Sequence, residues 1–212
     1  FENGPLTTIT FEKRADGSCD FAYTGNYAFA NTSLTSITFP KSYTGCSTGT
    51  SVASYVFYNC SSLTSITYEE DGVLRGIGTY ALAGTGITSI TIPYSINTVA
   101  LGNYAFNNCA NLTSVVWQKN PLGKTSKATL GEGVFSGCTA LKHIVLAKTV
   151  TPNNSAFKGL DADTVVYFDS LGSPTADWLG KKYLENCAVK LVWGWSEDMG
   201  FMKADGTFEG NA

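Results

Sequence analysis

The sequence predicts a mostly β fold in which short parallel strands stack as a solenoid of about seven coils. Three observations lead to this prediction: a repeat of 22 to 29 residues, a strand-like run at the end of each repeat, and a composition rich in Ser, Thr, Gly and Tyr. Only 15% of the 212 residues are charged and the net charge is −3. The chain therefore has no basic surface for phosphates, and we expect no nucleic acid partner.

The repeat is visible when the chain is aligned on one large apolar position, here called the anchor. The best preserved unit is Tyr-Ala-Phe-Asn-Asn-Cys-Ala-Asn-Leu-Thr-Ser-Val-Val-Trp, at residues 104 to 117. Because a single repeat of this size cannot bury its apolar face, neighbouring repeats must stack to form a continuous core. The anchors are Phe1, Phe29, Phe57, Leu82, Phe106, Phe135 and Phe157.

Each repeat ends in a run with the two-residue period of a half-buried strand. In the run from Leu63 to Tyr68, Ile66 and Tyr68 are predicted to face inward, and Ser65 and Thr67 are predicted to face outward. The opening residues Leu6 to Phe11 fit the same template, so we expect seven strands and a fragment that begins inside a repeat. No run of about 18 apolar residues is present, so no membrane span is predicted.

Two further repeat positions have a structural explanation. Two residues after the anchor, only Asn or Gly occurs, and these residue types tolerate a positive φ, so we predict a left-handed turn in every coil. Four residues before the anchor, Gly25, Gly78, Gly102 and Gly131 predict a close approach of two backbones. The variable stretches Lys41 to Thr50 and Gln118 to Lys127 are predicted to be loops.

The repeat pattern stops after Phe168, which divides the chain into residues 1–168 and residues 169–212. In the second part, Ser173 and Pro174 predict the start of a short helix that reaches about Leu184, and Val189 to Trp193 predict a strand. We interpret 169–212 as a small α/β cap with a polar tail, because an open solenoid end exposes core and strand edges. A separate small domain is the alternative.

The unit at residues 104–117, and its shortened form from Tyr80 to Pro93, resemble the BspA-type leucine-rich repeat of bacterial cell-surface proteins. The resemblance covers residues 1 to about 168 and implies a right-handed leucine-rich-repeat solenoid. It also implies a cell-surface or secreted, non-enzymatic module for adhesion and protein binding, whose partners are host or neighbouring-cell proteins. A carbohydrate-binding module and a structural spacer of a larger surface protein are the alternatives.

Two sets of residues are candidates for a binding surface. Outward strand positions form two rows, which are either a solvated face of β-forming residues or a contact surface for a protein or glycan. A column of tyrosines two residues before the anchor is either a structural ring stack or a binding stripe. The rows are Ser36, Ser65, Ser89, Ser114 and His143, and Thr38, Thr67, Thr91, Val116 and Val145; the tyrosine column is Tyr27, Tyr55, Tyr80 and Tyr104.

The cysteines and the single histidine are predicted to have structural roles and not catalytic or metal-binding ones. Cys60, Cys109 and Cys138 share one repeat position and are predicted to be buried free thiols. Cys19 and Cys46 lie in variable loops of adjacent coils and are candidates for a disulfide in an oxidising compartment. No Cys-x-x-Cys spacing accompanies His143, which is predicted to face solvent, so we expect no metal site, no cofactor and no catalytic residues.

Overall fold

The computed structural model describes residues 1–16, 23–40, 42–43, 52–69, 76–92, 98–117, 127–147, 150–153, 155–169, 190–193, 201–202 and 208–209. Within these ranges the regular secondary structure is strand, without a helix. The described strands are β1 (Ser36–Phe39), β2 (Ser65–Tyr68), β3 (Gly76–Ile77), β4 (Ser89–Ile92), β5 (Thr98–Leu101), β6 (Ser114–Trp117), β7 (Lys127–Leu130), β8 (His143–Ala147), β9 (Val150–Pro152), β10 (Val165–Asp169), β11 (Lys190–Trp193), β12 (Phe201–Met202) and β13 (Phe208–Glu209).

The runs that end the repeats form parallel strands, which confirms the mostly β, parallel prediction. Strands β1 and β2 pair with each other, and β4, β6, β8, β10 and β11 form a five-stranded sheet in that spatial order. Inward and outward residues alternate as predicted, since Ile37 and Phe39 of β1 are buried while Ser36 and Thr38 are exposed. The predicted strand near residue 190 is confirmed as β11, whereas the helix predicted from Ser173 lies outside the described residues.

A second parallel sheet, made of β3, β5, β7 and β9, was not predicted. These short strands end next to the glycines that precede the anchors, and the Lys127 end of the predicted loop belongs to β7. A signal for them is present in the sequence, because an apolar residue stands directly before each of three glycines, at Ile77, Leu101 and Leu130. Each of these three side chains is buried.

The opening repeat forms its turn but no strand, so the prediction of a strand over residues 6–11 is wrong. The ring of Phe1 stacks on that of Phe29 with centroids 5.8 Å apart. The Asn31 side-chain amide donates to Asn3 Oδ1 at 2.9 Å. Leu6, Ile9 and Phe11 are only partly buried against the core, so a regular strand here would gain less from burial than the strands of the later repeats do.

Both turn columns behave as predicted, with one exception. Positive φ occurs at every member of the Asn or Gly column: Asn3, Asn31, Asn59, Gly84, Asn108, Gly137 and Gly159. A Cβ added at Gly78, Gly102 or Gly131 would lie within 2.7 Å of a backbone atom of the preceding coil. Gly25 has no neighbour within 4 Å of that position, so close approach does not explain this glycine.

One continuous core runs from Phe29 to Val166. Consecutive anchors stack, with ring centroids 5.6 Å apart for Phe29 and Phe57 and 5.7 Å apart for Phe106 and Phe135. The three predicted free thiols are confirmed as buried and unbridged. Each bonds to the carbonyl of an anchor in the preceding coil, as Cys60 Sγ does to Phe29 O at 2.9 Å.

Candidate functional site

The tyrosine column forms a continuous ring stack on one side of the coils. Ring centroids are 4.6 Å apart for Tyr27 and Tyr55, 5.1 Å for Tyr55 and Tyr80, and 5.0 Å for Tyr80 and Tyr104. The planes of neighbouring rings differ by only 13° to 16°. Tyr58 adds a fifth ring, which meets Tyr55 edge-on at 5.7 Å. The structure therefore brings all four tyrosines of this column together.

These tyrosines have a backbone conformation that the sequence did not indicate. Their φ angles lie between 53° and 59°, in the left-handed region that bulky residues seldom adopt. Backbone hydrogen bonds between coils hold them there, since Tyr55 N–H donates to Thr79 O at 2.9 Å and Tyr80 N–H to Asn103 O at 3.0 Å. Each described coil from Tyr27 to Gly137 thus contains two left-handed residues, four positions apart.

The stack ends at Gly133, which takes the place of a fifth tyrosine. A Cβ at Gly133 would lie 2.5 Å from Tyr104 Cε1, so the Gly133 backbone packs against the Tyr104 ring. The Tyr104 hydroxyl donates to Glu132 Oε1 at 2.9 Å. This hydrogen bond, and then desolvation, raise the pKa of Tyr104. At neutral pH the phenol is protonated, as an unperturbed tyrosine also is, and it acts as the donor in this hydrogen bond.

Stacking determines what the tyrosine column can offer to a ligand. A sugar that binds an aromatic ring through its carbon-bound hydrogens needs an open ring face, and in this column neighbouring rings cover each other's faces except at Tyr27, which within the described part of the chain has a ring neighbour on one side only. Tyr27 is the most exposed member, at 41%. Among the described residues, the column presents chiefly ring edges and hydroxyl groups to solvent.

The outward rows of Ser and Thr are well exposed on the first three strands of this face. The six exposed side chains are Ser36, Thr38, Ser65, Thr67, Ser89 and Thr91. Thr38 and Thr67 lie opposite each other in the β1–β2 ladder, and their hydroxyl oxygens are 2.7 Å apart. We call these six residues the hydroxyl face. It contains no charged side chain.

Towards β8 and β10 the rows are no longer solvent-facing, which contradicts the prediction for His143 and Val145. Ser114 and Val116 are half-buried, as is His143, whose ring lies 6.0 Å from that of Tyr167. Val145 and Tyr167 are buried together as a second apolar cluster. Val116, Val145 and Tyr167 are apolar at outward positions where the first strands have Thr, so burying these three side chains is favourable.

The rows are also not continuous, because β2 and β4 do not pair. In the remaining part of this face, described strands pair residue by residue, with Ser89 opposite Ser114 and Ser114 opposite His143. No ladder joins Ser65 of β2 to Ser89 of β4. The structure therefore brings the predicted row residues together in two groups.

Cys19 and Cys46 lie outside the described residues, so their proposed disulfide stays a prediction. Across the described part of the chain, no group of three or more His, Cys, Asp and Glu side chains is arranged to hold a metal ion. In that same part, no helix is long and apolar enough to cross a membrane.

Three solved structures resemble this chain. They are the pneumococcal vaccine antigen PcpA (14% identity, 91% of this chain and 62% of that chain, TM-score 0.43), a leucine-rich repeat protein from Bacteroides ovatus (19%, 89% and 59%, 0.39), and a leucine rich cell surface protein from Faecalibacterium prausnitzii (13%, 84% and 70%, 0.39). The chain thus spans less than two thirds of the first two structures. No curated protein matches it.

The family assignment rests on the repeat itself. The model of the BspA type leucine rich repeat region matches residues 22–160 in six copies. This range contains the anchors from Phe29 to Phe157 and the complete tyrosine column. The chain belongs to the BspA-type leucine-rich repeat family.

Proposed function

We propose that this chain is a non-enzymatic interaction module of a cell-surface or secreted protein, and that it binds proteins of a host or of neighbouring cells. Membership of a leucine-rich repeat family supports a protein-binding role. The observation that carries the proposal is the hydroxyl face, an exposed and uncharged surface on regular strands. Depletion of charge is typical of the centre of protein interfaces.

The same proposal includes the organisation of the chain. About seven right-handed coils over residues 1–168 would form the solenoid, and residues 169–212 would close its end as a cap. The parallel pairing of β11 with β10 supports the cap, because it continues the sheet beyond the last repeat. Extracellular or cell-surface location is part of the same proposal, and the family membership supports it.

A carbohydrate-binding role for the tyrosine column is the weaker candidate. Apart from the face of Tyr27 that points away from Tyr55, ring faces in the column are covered by the neighbouring rings at 4.6 to 5.1 Å or by the Gly133 backbone. Aromatic stacking on a sugar would therefore be restricted to that one face of Tyr27, and the rest of the column would offer only hydroxyl edges. A pure spacer would need neither surface.

The test is saturable binding of the purified chain to an array of extracellular-matrix proteins, mucins and defined glycans. The paired substitution Thr38→Glu and Thr67→Glu places two charges on the hydroxyl face and should weaken binding to the captured protein at least tenfold. Thr129→Glu is the matched control, since Thr129 is an exposed strand residue of the second sheet. Equal binding by both variants, or binding to glycans alone, would overturn the proposal.

A further inference from the structure

The coils that contain β2 and β4 are joined on two sides and separate on the third. On the turn side, Phe57 N–H donates to Ala81 O at 2.9 Å and Asn59 N–H to Ala83 O at 2.7 Å. On the side of the second sheet, Val52 bridges to Ile77. Among the described strands of the hydroxyl face, β2 pairs with β1 alone and β4 pairs with β6 alone. We call the space between β2 and β4 the slot.

A change in repeat length coincides with the slot. Ser65 follows its anchor Phe57 by eight positions, whereas Ser89 follows its anchor Leu82 by seven. For the other pairs of adjacent described strands on this face, the spacing between anchor and strand either increases from seven to eight positions or stays at eight, and the two strands pair in every case. Where the spacing shortens, Gly86 lies directly on Ser61 O, in a position that leaves no room for a Cβ.

The slot leaves two strand edges with open hydrogen-bonding groups. Glu69 N–H donates to Phe39 O of β1 at 3.0 Å. Successive residues of a strand point their N–H groups to opposite neighbours. Tyr68 is one residue from Glu69 and Ile66 is three, so the N–H groups of both point away from β1 and towards the slot. On the other side, His143 N–H donates to the preceding coil at Thr113 O, 3.1 Å away. Ser89 occupies the equivalent position, so its N–H also points into the slot.

The side chains along the slot favour an uncharged occupant. Ile66 and Tyr68 are half-buried, whereas the equivalent Ile37 and Phe39 of β1 are 2% exposed. The outward neighbours on both edges are Ser and Thr. An open strand edge is complemented by another extended backbone, which repeats N–H and C=O groups at the same interval.

We propose that the slot binds an extended, uncharged segment of a partner protein, which pairs its backbone with the open edge of β2. This inference rests on the proposed function and names the kind of segment that the module recognises. Main-chain pairing supplies the affinity, and the apolar side chains at Ile66 and Tyr68 together with the hydroxyl groups beside them select small β-branched residues. Among the described residues, the strand positions beside the slot, Ser65–Tyr68 and Ser89–Ile92, include no charged side chain, and Glu69 at the end of β2 is already paired with Lys13, so a charged segment is disfavoured.

Amide hydrogen exchange in the free protein tests whether the edges are open. The amides of Ile66, Tyr68 and Ser89 should exchange at least tenfold faster than those of their positional equivalents Val115 and His143, which lie in paired strands. Equal protection at both sets of positions would mean that β2 and β4 pair in solution. That result would overturn the proposal.

A synthetic probe tests the pairing itself. An acetylated octapeptide of alternating Thr and Val should bind saturably and slow exchange at Ile66 and Tyr68. The same peptide with alternate amides N-methylated on one edge cannot complete the ladder there, and should bind at least tenfold more weakly. Equal binding of both peptides, or binding without protection of these two amides, would overturn the proposal.

Closing the slot is the complementary test. Inserting one Ser between Thr85 and Gly86 restores the eight-residue spacing, and should protect the Ser89 amide and abolish octapeptide binding. Retained octapeptide binding by this variant would contradict the proposal, and the wild-type exchange experiments decide the matter if the variant does not fold. If array binding survives the insertion but is lost on Thr38→Glu and Thr67→Glu, the proposal for the slot is overturned while the proposed function is supported.

Discussion

The ring of Tyr80 stacks on that of Tyr55 with centroids 5.1 Å apart, and both residues have positive φ angles, 53° and 58°. A left-handed backbone costs a non-glycine residue about 1 to 2 kcal/mol. Stacked aromatic pairs return about 0.5 to 1.5 kcal/mol each beyond their burial. The ring stack therefore offsets the strain of the turn that the inter-coil hydrogen bonds impose.

Substitutions at Tyr80 should separate strain from stacking. Tyr80→Ala and Tyr80→Gly both lose the stacked contacts with Tyr55 and Tyr104 and the edge contact with Tyr58, and should lower the free energy of unfolding by about 1.5 to 4.5 kcal/mol. Glycine usually destabilises an ordered position relative to Ala by about 0.5 to 1 kcal/mol. Here Gly relieves the strain that Ala retains, so the Gly variant should be at least as stable as the Ala variant in urea unfolding.

Tyr80→Phe is the control, because it keeps the stack and should change stability by less than about 0.5 kcal/mol. An Ala variant more stable than the Gly variant by about 1 kcal/mol would show that the left-handed conformation carries no strain in the folded chain.

The Asn column predicts a stabilising substitution at Gly84. Asn59 donates its side-chain amide to Asn31 Oδ1 at 3.0 Å, and Asn31 donates in turn to Asn3. Gly84 follows with φ at 71°, and a Cβ there would lie 3.3 Å from Asn59 Cα. Since Asn tolerates positive φ, Gly84→Asn can donate to Asn59 Oδ1 and extend this series.

We expect Gly84→Asn to raise the free energy of unfolding by up to about 1 kcal/mol, the usual net contribution of one hydrogen bond. Gly84→Val, which combines a branched Cβ with positive φ, should lower it by at least about 1 kcal/mol. Urea unfolding midpoints of the two variants provide the measurement. A Gly84→Asn variant as unstable as Gly84→Val would show that the space beside Asn59 cannot open.

The sequence predicts the turn conformations of the coils more completely than it predicts the sheets. The conformations of Asn31 and Gly84 were predictable because few residue types accept positive φ. The same conformation at Tyr55 was not, since Tyr is disfavoured there and only the contacts between coils impose it. The second sheet was missed because strands as short as Gly76–Ile77 show no periodicity of their own.

The binding surface was predictable only in part, for a related reason. The alternation of inward and outward residues correctly placed Ser36 and Thr38 on an exposed face. The burial of Val145 depends on its contact with Tyr167, a residue of another strand. Likewise, the separation of β2 from β4 depends on how two coils of different length fit together, which no single repeat reveals.

The anchor stack predicts a graded loss of stability at Phe106. Phe106 is completely buried and stacks on Phe135 at 5.7 Å, while Leu82 occupies the equivalent place in the preceding coil. Phe106→Ala leaves a large cavity and should cost about 3 to 5 kcal/mol. Phe106→Leu should cost less than about 1.5 kcal/mol, since Leu is already accommodated at this position.

Chemical denaturation of both variants measures the difference, with the exposed Lys158→Ala as a control that should change stability by less than about 0.5 kcal/mol. Similar losses for the Ala and Leu variants would mean that ring stacking, and not filled volume, holds the anchors together.

Tyr68 should make the fold sensitive to alkaline pH. Burial, and then the nearby Tyr43, raise the pKa of Tyr68 above its ordinary value. In the unfolded chain this phenol ionises near about pH 10, whereas the folded chain retains the proton. The unfolded state then binds fewer protons, so stability is fully present below about pH 10 and falls as the pH rises above it.

Tyr68→Phe removes this contribution and should flatten the fall in thermal midpoint between about pH 9 and about pH 11. Tyr23→Phe, which alters an exposed ring, is the matched control and should follow the wild-type curve. If Tyr68→Phe also follows that curve, the phenol of Tyr68 ionises as readily in the folded chain as in the unfolded one, and its oxygen is not in the desolvated environment that the stacking of the Tyr68 ring on Phe39 at 5.6 Å indicates.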